Sequence, residues 1–360
     1  MPITTSAQVH QVLLDALFAA PMFARPRLVA RLASAEIGNA DPRRLYVFIP
    51  DLHLVSTSRS LNFSYGTNAT TNLYRALFRV AQARARLAAE NIPVDVVQLG
   101  DLFDLWRDGH GAQRNSVTAI CNTYPSLLKL LYRAPRDPNC LRARLLVGNH
   151  DAEMVGSRSW SLRMFLPKET SAAFCLAMHG DWFDPVERLP NWLNRAGLLF
   201  GGNLPQAATY PLAELRALLQ AQSTAANGFA DYVQNASPVA VGAPIALTSA
   251  RTEMPAEHNV QRKGGSARPH KFLDDARLFV DTNRNKPGSS AGFTNVRTVV
   301  IGHTHHARIS VDTTAQPAMV LMDCGAWIEK YVDDAGDVRP SCQIGVISGN
   351  DARIYQLDAS

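Results

Sequence analysis

Five short apolar runs punctuate this 360-residue chain, and each stops abruptly at a proline, a glycine or a histidine. Aliphatic and β-branched runs with such ends predict buried β-strands. Helical periodicity over residues 73–87 separates the first two runs, and Pro125 marks the start of a second helix. This alternation predicts the α/β fold class. The five runs are residues 45–49, 94–99, 145–147, 174–178 and 299–301.

Each run leads directly into a short motif that carries Asp, Asn or His. Open α/β sheets place their functional sites just beyond the C-terminal ends of strands. One such tripeptide is weak evidence, but five in a fixed order, each after a strand, predict a single shared site. The motifs are Asp51-Leu52-His53, Gly100-Asp101-Leu102-Phe103-Asp104, Gly148-Asn149-His150-Asp151, His179-Gly180-Asp181 and Gly302-His303-Thr304-His305.

The side chains of these motifs are oxygen and imidazole ligands, with no thiolate among them. Such a set suits a pair of first-row divalent metals such as Mn, Fe or Zn, rather than a structural zinc or a calcium cage. The expected chemistry is attack of a metal-bound hydroxide on a phosphoester. Gly100, Gly148 and Gly302 fit this interpretation, because a Cβ would hinder the approach of the backbone to a crowded metal centre.

The ordered motifs resemble those of the calcineurin-like metallophosphoesterase family over residues 45–190 and 294–330. The resemblance implies a four-layer α/β/β/α sandwich, in which two mixed sheets are flanked by helices. It also implies two metal ions bridged by Asp101. The first ion would be bound by Asp51, His53 and His305, and the second by Asn149, His179 and His303.

The same resemblance implies that His150 acts on the substrate, as a general acid or by stabilising charge on the phosphoryl oxygens. Asp104 would be its partner, fixing the tautomer of His150 and raising its pKa. A plain helix cap is the alternative for Asp104.

We interpret Asp151 and Asp181 as capping or supporting groups rather than ligands. The remaining histidines, at positions 10, 110, 258, 270 and 306, are expected at the surface, although the last follows a ligand and could line the pocket.

Three longer stretches, at residues 100–106, 179–184 and 324–329, look like motifs of the UDP-2,3-diacylglucosamine pyrophosphatase-like branch. That branch cleaves the pyrophosphate of a nucleotide-linked lipid precursor in Gram-negative bacteria. Ala326 departs from it, since the branch usually carries a polar residue there. Two other classes stay open: a phosphatase or phosphodiesterase acting on phosphoproteins or cyclic nucleotides, and a non-catalytic scaffold. Nucleic acid is not expected, because no basic groove with stacking aromatic residues is evident.

The resemblance implies a metallophosphoesterase domain at residues 45–360, preceded by an N-terminal extension, residues 1–44, that is predicted to be helical. An insertion at residues 191–293 interrupts the domain and is far longer than a compact connection requires. Helices are predicted at 211–219 and 272–280. Insertions beside active sites often form lids, so a cap over a phosphorylated small-molecule or lipid-linked substrate is expected, with a partly disordered loop as the alternative.

Composition indicates the charge of the substrate and the cellular compartment that are expected. The formal net charge of +5 suits an anionic substrate or surface. Five cysteines, an odd number without CxxC spacing, are expected as buried fillers and favour a reducing compartment, hence a cytoplasmic protein. No segment has the ~20 apolar residues of a transmembrane helix. The apolar stretch 12–20 is predicted to pack on the core, while the arginines after it leave open a peripheral membrane contact.

Overall fold

The computed structural model describes about three fifths of the chain. Asp104, His110, His258 and the helix predicted at 211–219 lie outside the described residues. The described residues are 2–18, 26–38, 41–56, 67–103, 105, 116–151, 154, 164–166, 168–169, 172–183, 260–263, 270, 272–285, 290–314, 316–327, 331–332, 338–339 and 342–357.

Sixteen strands are found in these residues, and twelve of them form two six-stranded mixed sheets. The α/β class is therefore confirmed. In chain order the strands are β1 Arg27–Ala33, β2 Leu45–Ile49, β3 Val94–Gln98, β4 Arg144–Leu145, β5 Met164–Phe165, β6 Lys168–Glu169, β7 Ala172–Ala173, β8 Cys175–Met178, β9 Val260–Arg262, β10 Thr298–Ile301, β11 Arg308–Asp312, β12 Met319–Asp323, β13 Tyr331–Val332, β14 Val338–Arg339, β15 Gln343–Ser348 and β16 Asp351–Gln356.

The first sheet has the order β1-β16-β15-β2-β3-β4, and the second has the order β5-β8-β10-β12-β11-β9. Strands β2, β3 and β4 are parallel neighbours in the first sheet. In the second sheet β8, β10 and β12 are likewise parallel neighbours. Each sheet therefore brings the C-terminal ends of three adjacent strands to one edge. The pairs β6-β7 and β13-β14 form separate two-stranded ribbons.

Six α-helices accompany these strands in the described residues. The helix predicted over 73–87 is part of α2, and Pro125 starts α4 as expected. The helices are α1 Ser6–Phe18, α2 Thr67–Ala89, α3 Val117–Thr123, α4 Pro125–Leu128, α5 Leu273–Asn285 and α6 Ser290–Phe293. A π-helical turn, Lys129–Arg133, follows α4, and 3₁₀ turns lie at Ala35–Ile37 and Asp181–Phe183.

The two faces of each sheet bury apolar residues in different clusters. In β2, Leu45, Val47 and Ile49 pack with residues of α1 and α2. The alternate residues Tyr46 and Phe48 join a cluster that also contains residues of β10 and β12 from the other sheet. The outer face of the second sheet packs against α5. Because successive strand residues point to opposite faces, strands buried on both sides must be apolar throughout, which explains the continuous runs in the sequence.

The N-terminal extension is only partly helical, so the expectation of a helical segment over residues 1–44 needs correction. Helix α1 buries Val9 and Leu13 in the core cluster of the first sheet, as predicted for packing on the core. Strand β1 then pairs with β16 along the edge of that sheet. From Ala30 to Ala33 buried and exposed residues alternate in β1, as suits an edge strand, and the arginines of β1 hide this pattern in the sequence. Among the helices in the described residues, none combines the length and apolar character that a membrane crossing requires.

The described C-terminal part of residues 191–293 belongs to the second sheet and its covering layer. Strand β9 pairs in parallel with β11 through Val260 and Gln261. Helix α5 extends the helix predicted at 272–280 by five residues and buries Leu273, Ala276 and Val280. All five cysteines are free and buried, which confirms their prediction as apolar fillers.

His10 is fully buried on α1, so its expected surface location is wrong. Its Nε2–H donates to the backbone oxygen of Asp351 at 3.1 Å. Burial, helped by the positive charge of Arg353 and Arg31 and opposed by the carboxylate of Asp351, lowers the pKa of His10 to about 4. The apolar side of α1 buries this histidine, a feature that residue type alone does not reveal.

We expect His10 to make the protein less stable as the pH falls from 6.5 to about 4. In that window the unfolded chain binds a proton at position 10 and the folded chain does not, so unfolding is favoured. At about 1.4 kcal/mol per pKa unit, the loss between pH 7 and pH 4.5 is roughly 2–3 kcal/mol. Urea unfolding at both pH values should show a smaller loss for His10→Gln than for the unchanged protein. Equal losses would contradict the assignment.

Candidate metal centre

The motif side chains meet where the C-terminal ends of parallel strands from both sheets come together. Strands β2, β3 and β4 lead into the motifs at positions 51, 101 and 149, and strands β8 and β10 lead into those at 179 and 303. A bridge between Asp51 and Ala326 joins the edges of the two sheets. The backbone oxygen of Asp101 accepts hydrogen bonds from the N–H groups of Leu52 and His53, which ties the first two motifs together.

One group of ligand atoms consists of Asp51, His53 and His305, and these could hold a metal ion. The Nε2 atoms of the two histidines are 3.2 Å apart. Oδ2 of Asp51 lies 3.1 Å from Nε2 of His305 and 4.0 Å from Nε2 of His53. Metal bonds of about 2.0–2.2 Å separate neighbouring ligand atoms by about 3.0–3.5 Å at tetrahedral or octahedral angles. The observed spacing fits a common ion.

A second group gathers around His179. Its Nδ1–H donates to the backbone oxygen of Leu99 at 3.2 Å, which turns Nε2 toward the other ligand candidates. This Nε2 lies 2.8 Å from Oδ1 of Asn149 and 3.2 Å from Nδ1 of His303. The atoms of this group are spaced as closely as those of the first.

Asp101 lies between the two groups. Its Oδ2 is 3.7 Å from Nε2 of His53, in the first group, and 3.2 Å from Nε2 of His179, in the second. Its other oxygen, Oδ1, accepts the backbone N–H of His150 at 2.8 Å. One carboxylate oxygen therefore faces both groups while the other is held by the protein.

His150 lies against the first group and is also largely buried. Its ring packs edge-on against the ring of His53, with centroids 4.6 Å apart. The structure also places a ring nitrogen of His150 close enough to His53 and Asp101 for the three to share an ion. All seven predicted ligands and His150 thus meet in one place. Their geometry alone leaves His150 two roles, as a ligand or as a group facing the substrate.

The backbone around the site is strained. His53, Asp101, His303 and His305 have φ of 46°, 51°, 68° and 57°, so four of the six non-glycine residues with positive φ in the described part of the chain are ligand candidates. Left-handed backbone costs a non-glycine residue on the order of 1–3 kcal/mol and concentrates at functional sites. A Cβ at position 148 would collide with Oδ1 of Asp101, and one at 302 with Oδ1 of Asp51. The predicted close approach of the backbone at these two glycines is confirmed.

Asp151 supports the site through hydrogen bonds to the backbone of two motifs, as predicted. Its Oδ1 accepts the N–H of Gly148 at 2.7 Å, and its Oδ2 accepts the N–H of Leu102 at 2.9 Å. This side chain therefore joins the second and third motifs. Burial and the nearby carboxylate of Asp101 raise the pKa of Asp151 to about 7.

The charge balance of the site attracts cations. Asp51 and Asp101 are almost completely buried, and in the described residues their ion pairs are with histidines alone, with no lysine or arginine. Burial raises the pKa of Asp51, and the negative charge of Asp101 adds to the rise. For Asp101 burial acts in the same direction, but His179 and His150 outweigh it and lower the pKa. Burial would lower the pKa of His179, yet both carboxylates hold it well above its usual value. Two buried carboxylates among imidazoles favour bound positive charge.

Two residues near the site were missed from the sequence. His270 was expected at the surface, but it is buried and its Nε2 lies 2.8 Å from Oδ2 of Asp323. Asp323 ends β12, beside the motif strand β10, and this position at a strand end was the available signal. His306 is half-buried, and its N–H donates to Oγ1 of Thr304.

Neither a comparison of the chain with protein-family models nor one with curated proteins found a match. The buried clusters of Asp and His could hold a metal ion. The donors are carboxylate and amide oxygens and imidazole nitrogens, a chemistry that fits a divalent cation of intermediate hardness.

Proposed function

We propose that this protein is a dinuclear metal-dependent phosphoesterase of the calcineurin-like metallophosphoesterase family. The observation that carries the proposal is the position of Oδ2 of Asp101 between the two groups of ligand atoms. This oxygen lies 3.7 Å from Nε2 of His53 and 3.2 Å from Nε2 of His179. A carboxylate oxygen in this position could be shared by two ions, and two-metal sites typically hold their ions about 3.5–4 Å apart. Two sheets that share one apolar cluster, each with helices on its other face, support the family's four-layer sandwich.

When bound, two ions such as Mn, Fe or Zn supply Lewis-acid charge that polarises a phosphoryl group and acidifies a water molecule. The chain positions the ligands for them. Leu99 orients the ring of His179 through its carbonyl oxygen. Asp51 accepts the backbone N–H of His303 at 2.8 Å, which holds that loop against the first motif. The neutral amide of Asn149 would provide an oxygen ligand without adding negative charge to the site.

His150 is the residue we propose to act on the substrate. Its backbone is fixed by Asp101, and its ring lies at the ligand cluster beside His53. From this position the imidazolium would donate a proton to the leaving-group oxygen or stabilise charge on the phosphoryl oxygens. Asp104, its proposed partner, lies outside the described residues.

The substrate class we propose is a phosphoester or phosphoanhydride of a small or lipid-linked molecule, with a nucleotide-linked lipid pyrophosphate as the specific candidate. The sequence motifs of the pyrophosphatase-like branch support that candidate, and the net charge of +5 suits an anionic substrate. A two-metal centre would contact only one phosphoryl group of the substrate. The choice between substrates would therefore depend on the residues that line the rest of the pocket. Residues 184–259, most of the predicted cap, lie outside the described residues.

The proposal is tested by measuring bound metal and hydrolysis together. Protein stripped with chelator and reloaded with Mn²⁺ should bind two ions per chain and hydrolyse phosphoesters. Parallel assays of a phosphomonoester, a phosphodiester and a pyrophosphodiester then identify the preferred bond. Protein that binds no divalent metal and hydrolyses none of these would be a non-catalytic scaffold. A clear preference for phosphoproteins or cyclic nucleotides would retain the reaction class and replace the substrate.

A further inference from the structure

His270 and Asp323 form a buried pair behind the loop that carries His303 and His305. The N–H of Phe272 donates to Nδ1 of His270 at 3.0 Å, so the ring proton resides on Nε2. That proton is donated to Oδ2 of Asp323 over 2.8 Å. The backbone N–H of His270 donates to Oγ of Ser310 at 3.0 Å, which ties the residue to the second sheet. Both the tautomer and the orientation of His270 are thereby defined.

Asp323 connects this histidine to the ligand loop. The same oxygen, Oδ2, accepts the hydroxyl hydrogen of Thr304, the residue between the two ligand histidines. The other oxygen accepts the N–H of Gly325 at 3.1 Å. A completely buried carboxylate needs such donors, and removing one leaves part of its charge unsatisfied. The geometry at Thr304 therefore depends on the donor that His270 supplies.

A second contact reaches the loop from the same segment. The ring of Phe272 stacks on the ring of His303, with centroids 6.2 Å apart and an angle of 27° between the planes. His303 and His305 both need left-handed backbone, which persists only where the surroundings hold it. The His270 segment thus contacts this strained loop at two points, through Thr304 and through the His303 ring.

We propose that His270 is a positioning residue of the metal centre, which acts through Asp323 and Thr304 to hold His303 and His305 in their binding geometry. The inference rests on the proposed function, because it assumes that these histidines bind metal. Residues that support metal ligands indirectly typically change metal affinity by about 10- to 100-fold when replaced. A purely structural role for His270 would lower the stability of the fold and leave metal affinity unchanged.

The test measures Mn²⁺ affinity by calorimetry on chelator-stripped full-length protein. His270→Phe and Thr304→Val should each weaken Mn²⁺ binding by about 10- to 100-fold. The double variant should lose less than the two single losses combined, because both changes break the same link. His270→Gln, which can still donate to Asp323, should recover much of the affinity. His10→Phe is the matched control, since this other buried histidine lies apart from the ligand motifs; it should lose stability without losing Mn²⁺ affinity.

The outcomes separate this inference from the proposed function. If Thr304→Val and His270→Phe fold and bind Mn²⁺ as the unchanged protein does, His270 has no positioning role. Should His270→Phe not fold, Thr304→Val decides the question by the same measurement, because unchanged Mn²⁺ affinity in that variant would show that the contact with Asp323 does not position the two histidines. Unchanged protein that binds no Mn²⁺ would instead overturn the proposed function.

Discussion

Asp101→Asn is expected to abolish metal retention and hydrolysis together. The carboxylate oxygen between His53 and His179 would be replaced by a neutral amide, which could not offset the charge of the two dications that we propose to bind there. The fold should survive, because asparagine tolerates the φ of 51° at this position and its oxygen can still accept the N–H of His150. Metal content by mass spectrometry, initial rates with Mn²⁺ and circular dichroism measure the three effects.

Asp312→Asn is the matched control for this variant. Asp312 is as buried as Asp101, but it ends β11 and pairs with Arg277 away from the ligand motifs. Its replacement should reduce stability and leave metal content unchanged. Two ions retained in Asp101→Asn at normal occupancy would show that Asp101 does not bridge them, and the dinuclear assignment would then have to be abandoned.

His150→Asn is expected to keep both ions bound and to lower kcat by about 10²–10⁴-fold. Proton donation and charge stabilisation act on the transition state, so their loss should reduce kcat more than it raises KM. The hydrogen bond from the backbone of residue 150 to Asp101 does not involve the side chain and should remain. Metal content must be measured beside the rates, since His150 is also close enough to His53 and Asp101 to share an ion.

The leaving group distinguishes the two catalytic roles proposed for His150. If it acts as a general acid, the loss in kcat should be large for an alkyl ester and small for a nitrophenyl ester, whose leaving group needs no proton. A similar loss on both esters would indicate charge stabilisation instead. Loss of metal from His150→Asn would make His150 a ligand and would contradict the role proposed for it.

Local patterns of apolar residues in the sequence predicted the main strands. The run at residues 45–49 became β2 with the same bounds, and the run at 299–301 became β10, which begins one residue earlier. Both strands are buried on two faces, which requires continuous apolar sequence. The runs predicted at 94–99 and 174–178 were each one residue too long, and the run at 145–147 yielded only the two-residue strand β4. Strand ends depend on where pairing with a neighbour stops, so they are less visible in the sequence.

The predictions from sequence were wrong where the burial of a residue depends on partners that are distant in the sequence. His10 and His270 were expected at the surface because histidine without a motif is most often exposed. The first is buried against β16 by the packing of α1, and the second finds its carboxylate 53 residues away in Asp323. Strand β1 was missed because its arginines obscure the alternation of an edge strand. Strand β9 has only three residues, too few for a periodic signal.

The sequence by itself determined the α/β class, the main strands and the set of side chains that would meet beyond their ends. It could do so because strand periodicity is local and ligand chemistry depends on residue type. Only the tertiary structure decided how the ligand atoms are arranged. The position of Asp101 between His53 and His179 depends on the packing of the two sheets, because His53 follows a strand of the first sheet and His179 follows a strand of the second. The pairing of His270 with Asp323 has the same origin, since contacts between distant segments exist only once the sheets have assembled.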